Sequence, residues 1–551
     1  GLIVKGRENV LLQSNQFDTT WTLNVNASAA SGQSGYDGSN DAWLLSTIGG
    51  QYSSARQVIS SSGVHTFSVY AKAGSLSAMA LSINVTGNAT YQWFDLSNGT
   101  LGVNQDNNEI DATIELVNGT TDWYRCSVTH TGSLIDVRIF PTLINTFSTT
   151  AGNILIQDAQ FELGLAASSY IESGATNGTA GVLENTPRLN YTTGVANPYL
   201  LLEPSRTNLL VQSEYFSDWT SNGSTLEVNS TISPEGVQNA YKITDDTSTG
   251  RHGIFKINNG LTSNVSTTFS FFVKQGTSGQ YAQCSFNSNV ADYWVAAIID
   301  LSNGIIVNTD SSINATYEDS GVEEFSNGWY RITLTGKFAQ TEYHTKILLS
   351  NTSNPTRDAF GNIIYTGDGV RNIYTYGAQL EQGSYPTSYI PTYSVSATRA
   401  ADSCSKTNAS GEIGQTEGTM YAEINFVDNN TDSMFMTIGD GTSNNRIHIG
   451  YDKTSDWIYC NVKAAGLQQA LITSSSPSDG IKKIAVAYKQ NDYVVYINGV
   501  SVGADTNANV PTLTKIYIGG YFSAGFEHSV KQNLLYKERL TNAELATLTT
   551  I

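Results

Sequence analysis

Covalent chemistry asks a sequence for facing carboxylates, a nucleophile beside a base, or clustered metal ligands, and this chain has the residue types without the spacing. Glu323-Glu324 and Asp245-Asp246 are adjacent carboxylates. Glycoside hydrolysis needs two that flank one bond, and neighbours on a strand project to opposite faces. The six histidines are scattered and there is no GxSxG string, so a serine triad has no anchor. Cys126, Cys284, Cys404 and Cys460 lie more than 50 residues apart without a CxxC pair, which points to free buried thiols rather than zinc or a disulfide framework. Asp428, Asn430 and Asp432 imitate the start of an EF-hand loop. Ser433 stands where the glycine belongs, however, and Gly439 where a bidentate Glu is required, so that reading fails. No catalytic residue is nominated, and the chain is expected not to be an enzyme.

Non-covalent recognition is better provided for. Flat aromatic faces stack on sugar rings while amides and carboxylates take the hydroxyls. Aromatics special to one part of the chain are the candidates: Trp93, Tyr293, Trp294, Tyr451, Trp457, Tyr459 and Tyr521. Trp457 and Tyr459 alternate onto one face of a strand, and Tyr451 ends the strand before, so the three rings either form one stacking platform or line the inner core.

The elements that position these residues follow from an internal repeat. Asn9-Val-Leu-Leu-Gln-Ser with Trp21 returns as Asn208-Leu-Leu-Val-Gln-Ser with Trp219. FSVYAKAG (67–74) returns as FSFFVKQG (269–276), DLSNG (95–99) as DLSNG (300–304), DWYR (122–125) as GWYR (328–331), and the SYI ending at Ile171 as that ending at Ile390. The offset grows from 199 to 219, as small loop insertions between fixed strands would cause. Residues shared by both copies are expected to hold the scaffold. Trp21 and Trp219, Trp43 and Tyr241, and Trp123 and Trp329 are therefore assigned to the cores, with Arg125 and Arg331 capping carbonyls or a carboxylate.

Apolar residues alternate with period two, as in Phe67, Val69 and Ala71, the mark of half-buried strands. Asn98-Gly99, Asn303-Gly304 and Asn498-Gly499 mark tight hairpins. A short closing helix is expected where Thr541 and Glu544 have capping-box spacing. The fold class is all-β, three β-sandwiches: a jelly roll over 1–174, a connector over 175–205, a second jelly roll over 206–402 and a different sandwich over 403–551. About a third of the chain is neutral polar, and 29 Lys+Arg face 48 Asp+Glu for a net charge of -19. That acidity argues against nucleic acid as a partner. No apolar run approaches the ~18 residues of a membrane span.

PRLNYTTGVANPYLLLEPSRTNLLVQSEYFSDWT (187–220), SPEGVQNAYKIT (233–244), GWYR and SYIPTYSVSATRAAD (388–402) together resemble a module of tailed-phage and prophage virion proteins, itself similar to the jelly rolls of carbohydrate-binding modules. The third segment resembles a laminin-G or concanavalin-like sandwich through VVYINGV (494–500), IYIGGY (516–521) and LLYKERLTNAELATL (534–548), and departs from it at FSAGFEHSV (522–530). The resemblance implies a virion fibre or decoration protein, made in the host cytoplasm and carried outside capsid or tail. It would contact other virion proteins, adhere to host-surface or extracellular polysaccharide, and assemble as a homotrimer or, second, a homodimer. The rival readings are a purely structural virion protein and a secreted bacterial polysaccharide-binding or degrading protein. Neither the ExDxxE pattern of concanavalin-like hydrolases nor the QIH strand of alginate lyases is present, and RIHIG around His448 echoes the latter only superficially. A structural calcium is the one cofactor the resemblance allows. Asp158 is its candidate ligand in the first copy, where the second copy has Gly377. Ligand binding is expected in the third domain, with the jelly rolls as spacers. Gly1 reads either as the residue after a removed Met or as the start of a processed fragment. Leu2, Ile3, Arg7 and Asn9 match Leu201, Leu202, Arg206 and Asn208, so residue 1 is expected at a tight domain boundary.

Overall fold

The computed structural model describes the chain except for residues 1–5, 25, 50–51, 86–89, 106–108, 182–187, 191–198, 403, 427–431, 476 and 520–528. Leu2, Ile3, Asp428, Asn430 and Tyr521 therefore lie outside the described residues. The chain divides into two compact units. One contains both repeats, 1–184 and 207–397; the other contains 185–206 and 398–551.

Each repeat is a sandwich of two antiparallel layers in the same strand order. In the second repeat one layer runs Ser224–Thr231, Ala240–Asp245, Asn372–Gln382, Thr267–Gln275, Trp329–Phe338, Ala315–Phe325. The other runs Thr220–Asn222, Gly253–Asn259, Glu342–Ser350, Tyr281–Asn287, Trp294–Asp300, Ile305–Ser311. The first repeat reaches the same arrangement with continuous strands. Ser54–Ala73 and Trp123–Thr142 pass from one layer to the other without a break, bending where Gly63 (φ 101°) pairs with Gly132 (φ 135°). Phe67, Val69 and Ala71, and Phe269, Phe271 and Val273, point into the two cores, all fully buried, as period two requires.

The identical DLSNG strings make identical turns. The Asp95 carboxylate accepts from the amides of Ser97 (2.9 Å) and Asn98 (3.2 Å), and Asp300 accepts from Ser302 (2.9 Å). Gly99 and Gly304 both stand at φ 65°, where a Cβ would lie 2.6 Å and 2.3 Å from the rings of Tyr124 and Tyr330. Only these glycines are left-handed; Asn98 and Asn303 are not. The turns thus differ from the two-residue hairpin in which both central residues have positive φ. That form does occur at Asn498 (φ 50°) and Gly499 (φ 83°).

The scaffold aromatics are where the repeat placed them, with Trp21, Trp219, Trp43, Tyr241, Trp123 and Trp329 all buried. The arginines are a correction. Arg125 donates to Ser68 Oγ (3.2 Å) with its guanidinium over Tyr70, and Arg331 donates to Ser270 Oγ (2.9 Å) over Phe272. Both guanidinium groups thus reach across to the neighbouring strand, where they touch a hydroxyl and a ring.

The two repeats share a core. Val64 and Leu165 of the first are buried in the same apolar cluster as Leu210, Phe269 and Leu334 of the second. Arg7 joins its own repeat's Glu162 (2.7 Å) to Glu235 of the other (2.8 Å). Burial alone lowers the Arg7 pKa, but these two carboxylates hold it above its ordinary value. Nearby, the buried Glu214 accepts from the hydroxyls of Tyr376 (2.9 Å), Tyr389 (3.2 Å) and Tyr393 (2.9 Å).

The second unit is a third sandwich. Its six-stranded sheet runs Cys404–Lys406, Lys515–Ile518, Ser433–Gly439, Arg446–Asp452, Trp457–Ala464, Leu467–Thr473. Its seven-stranded sheet runs Arg188–Asn190, Tyr199–Leu201, Ser529–Tyr536, Glu417–Phe426, Gly480–Lys489, Asp492–Ile497, Val500–Asp505. Much of the stretch read as a connector is thus part of this sandwich: Leu200 pairs with Val530, Leu202 is buried in its core, and Glu203 binds Arg399 at 3.1 Å. The stretch also reaches the first repeat, where Gly178–Ala180 pairs with Arg7–Asn9. The closing helix, Asn542–Thr549, carries the expected capping box of Thr541 and Glu544. It seats Leu545 and Leu548 on the outer face of the seven-stranded sheet against Tyr421, Ala485 and Val494.

Candidate functional site

The adjacent carboxylates are separated as strand geometry dictates. Glu323 pairs with Arg331 and Glu324 with Tyr330, whereas Asp245 is buried against Arg371 (3.0 Å) and Asp246 takes the amide of Ser248. Cys126, Cys284 and Cys460 are buried, and Cys404 is partly so.

The repeat aromatics are placed in packing. Trp93 is 1% exposed, enclosed by Tyr91, Phe140, Ile144 and Phe147. Trp294 is buried beneath the backbone at Gly361, with the Arg357 guanidinium over its ring. Tyr293 is half-buried, edge-on to Phe338. Trp93 and Trp294 therefore do not offer the open ring face expected of a stacking residue. Asp158, the candidate calcium ligand, lies at a strand irregularity. It sits at φ 52° where Gly377 has φ 53°, the left-handed residue of a bulge in each last long strand. Its carboxylate accepts from Tyr36 Oη at 2.7 Å, and burial raises its pKa to about 6. The carboxyl is thus held by tyrosine, with the charges of Asp41 and Asp37 acting on it as well. Among the described residues no group of three or more His, Cys, Asp or Glu is placed to hold a metal ion.

In the third sandwich the pairing register separates the expected platform. Tyr451 pairs with Ile458, Gly450 with Tyr459, and Asp452 with Trp457. Tyr451 therefore points inward; it is 2% exposed, edge-on to Phe426, with its hydroxyl on Asp456 (2.9 Å). Trp457 and Tyr459 point outward and are half-buried. Gly450 makes the room Tyr459 needs, since a Cβ there would stand 3.1 Å from the ring carbon Cζ and 3.0 Å from the hydroxyl.

The same outer face carries polar side chains in rows across the strands. Arg446 pairs with Lys463 and His448 with Asn461, so with Tyr459 and Trp457 the face grades from cationic, through imidazole and amide, to aromatic. His448 is 2% exposed, edge-on to the Tyr459 ring at 5.2 Å. Among the described residues neither of its ring nitrogens has a hydrogen-bond partner. Burial, then the charges of Arg446 and Lys463, push its pKa down to about 3, leaving one donor and one acceptor on a neutral ring. Leaving such a group unpaired costs about 1–3 kcal/mol. Asn461 gives its amide to Gln468 (3.0 Å), and its carbonyl oxygen has no partner among the described residues.

Sequence reasoning found Trp457 and Tyr459 but missed Arg446, His448, Asn461 and Lys463. The missing signal was cross-strand register: alternation shows which residues of one strand share a face, and only pairing joins the polar sets of two strands.

No protein-family model matches the chain, and no curated protein matches its sequence. Solved structures similar to parts of it include the CBM40 of Ruminococcus gnavus IT-sialidase bound to α2,3-sialyllactose (15% identity, 26% of this chain and 86% of that one, TM-score 0.23). Others are the CBM22-1-CBM22-2 tandem of Paenibacillus barcinonensis Xyn10C (12%, 70% and 98%, TM-score 0.22) and domains LG4-5 of the mouse laminin α1 chain (11%, 64% and 93%, TM-score 0.20). Such scores add nothing to the fold, which the strand pairings define on their own. No helix among the described residues is long and apolar enough to cross a membrane.

Proposed function

We propose that this chain is a carbohydrate-binding protein without covalent chemistry, and that the outer face of the six-stranded sheet in its third sandwich holds the glycan. The observation that carries the reading is the pair of outward, half-buried rings Tyr459 and Trp457, set on one face beside the polar row of Arg446, His448, Asn461 and Lys463. Sugar hydroxyls both donate and accept, which suits a row of mixed polar side chains, and the aromatic rings supply the apolar surface a pyranose covers. The finer reading is an appendage on the exterior of a tailed-phage virion, supported by the resemblance of residues 187–402 to a virion module. Glycan-array profiling of the full chain tests the binding. A defined set of glycans is expected to bind wild type and to be lost in Trp457→Ala/Tyr459→Ala. An empty array, or equal binding by the variant, would refute the assignment.

A further inference from the structure

Within that proposed site, we infer that the face selects an acidic saccharide, with a carboxylate or sulfate seated between Arg446 and Lys463 and the sugar rings running toward Tyr459 and Trp457. The inference rests on the proposed glycan binding and adds the chemical class of the ligand.

Arg446 and Lys463 are directly opposed across the sheet, which places their Cβ atoms about 5 Å apart, and like charges in that position are destabilising. Among the described residues neither has an acidic partner within ion-pair distance, although the chain carries 48 Asp+Glu against 29 Lys+Arg. Arg446 Nε is buried without a partner among the described residues. The row continues through Gly439, which pairs with both Arg446 and Lys515 and so brings a third cation into the same row. His448, one step along the strand on the same face, cannot neutralise the pair, because its neutral ring is the form these cations favour. Acidic groups lie at the other end, where Asp452 and Asp432 act on Tyr459. The face is thus polarised from cationic to acidic along its strands. Trp457 and Lys463 are six residues apart, roughly 20 Å at strand rise, a length that holds several pyranose rings. A planar anion between Arg446 and Lys463 would relieve the repulsion, gain charge-assisted hydrogen bonds and fix the direction of the chain.

Calorimetric titration of the full chain with oligogalacturonate, dextran sulfate and neutral dextran oligomers, at low and physiological salt, tests this. At least one acidic probe is expected to bind tenfold or more tighter than the neutral one, with affinity falling as salt rises. Arg446→Gln/Lys463→Gln should lose at least tenfold for the acidic probe and abolish its preference over the neutral one. Lys406→Gln, which removes an exposed ion pair elsewhere on this unit, should change neither. The carboxylate and sulfate probes distinguish the anion. Should the double variant misfold, the salt dependence of wild type decides: salt-insensitive binding of the acidic probe overturns the inference. Neutral dextran bound as tightly as both acidic probes overturns it too while leaving the proposed function standing. No binding of any saccharide, here and on the array, overturns both.

Discussion

His448 and Asp158 are both buried titratable groups whose neutral forms burial favours, and they give the two sandwiches opposite acid responses. Asp158 has a folded pKa of about 6, above the roughly 3.9 of an unfolded Asp. Its contribution to stability is therefore full below pH ~4 and lost as pH rises through 6. Asp158→Asn, which is permanently neutral and tolerates positive φ, is expected to raise the melting temperature at pH 7.5, by on the order of 1–2 kcal/mol in stability. It should match wild type near pH 4, and an equal gain at both pH values would contradict this. For His448 the folded pKa of about 3 lies below the unfolded ~6.5. Its contribution is full above pH ~6.5 and falls away as pH drops toward 3. Arg446, Lys463 and Tyr459 are the groups that face it. His448→Gln should flatten the acid sensitivity of the third sandwich between pH 6.5 and 4, read by circular dichroism melts. The aromatics separate by burial. Trp93→Ala should cost about 3–5 kcal/mol as a core deletion, and Trp457→Ala about 1–2 because its ring is half in solvent.

Single turns and bends hold the strands in register. Gly304→Ala places a Cβ 2.3 Å from the Tyr330 ring at φ 65°, which should cost about 2 kcal/mol or more by combining strain with overlap. Gly119→Ala, at φ 84° with nothing within 4 Å, pays only the backbone term of about 1 kcal/mol. Thermal denaturation of the two variants compares them directly, and equal losses would remove the ring contact as the reason both copies keep the same string. The strands, the DLSNG turns, the capping box and the scaffold tryptophans were legible because each depends on residues close in sequence or duplicated at a fixed offset. Three features were not. The Asp158/Gly377 difference looked like a metal ligand lost in one copy, because left-handed φ at a bulge has no pattern of its own. Tyr451 looked like part of a platform, because the end of one strand and the start of the next appear adjacent until the register Tyr451 to Ile458 is known. Residues 175–205 looked like a linker, because what ties them to the sandwiches is pairing with partners more than 150 residues away in sequence, as of Gly178 with Asn9 and Leu200 with Val530.

At the scale of the molecule the two jelly rolls are more than spacers, since Val64 and Leu165 of one complete the core of the other and Arg7 ties their carboxylates together. A flexible tandem would unfold in two steps, whereas a shared core couples them. Scanning calorimetry should show the repeats unfolding in one transition. Leu165→Ala, a fully buried truncation worth about 2–4 kcal/mol, should separate it into two; two transitions already present in wild type would contradict the coupling. The central claim, that the chain binds glycan on the outer face of its third sandwich, is tested most directly by hydrogen–deuterium exchange of the full chain with and without the glycan giving the strongest array signal. The account predicts slowed exchange in Arg446–Asp452 and Trp457–Ala464, with the jelly-roll repeats unchanged. Protection confined to the jelly rolls, or to the helix-covered sheet of the third sandwich, would contradict it.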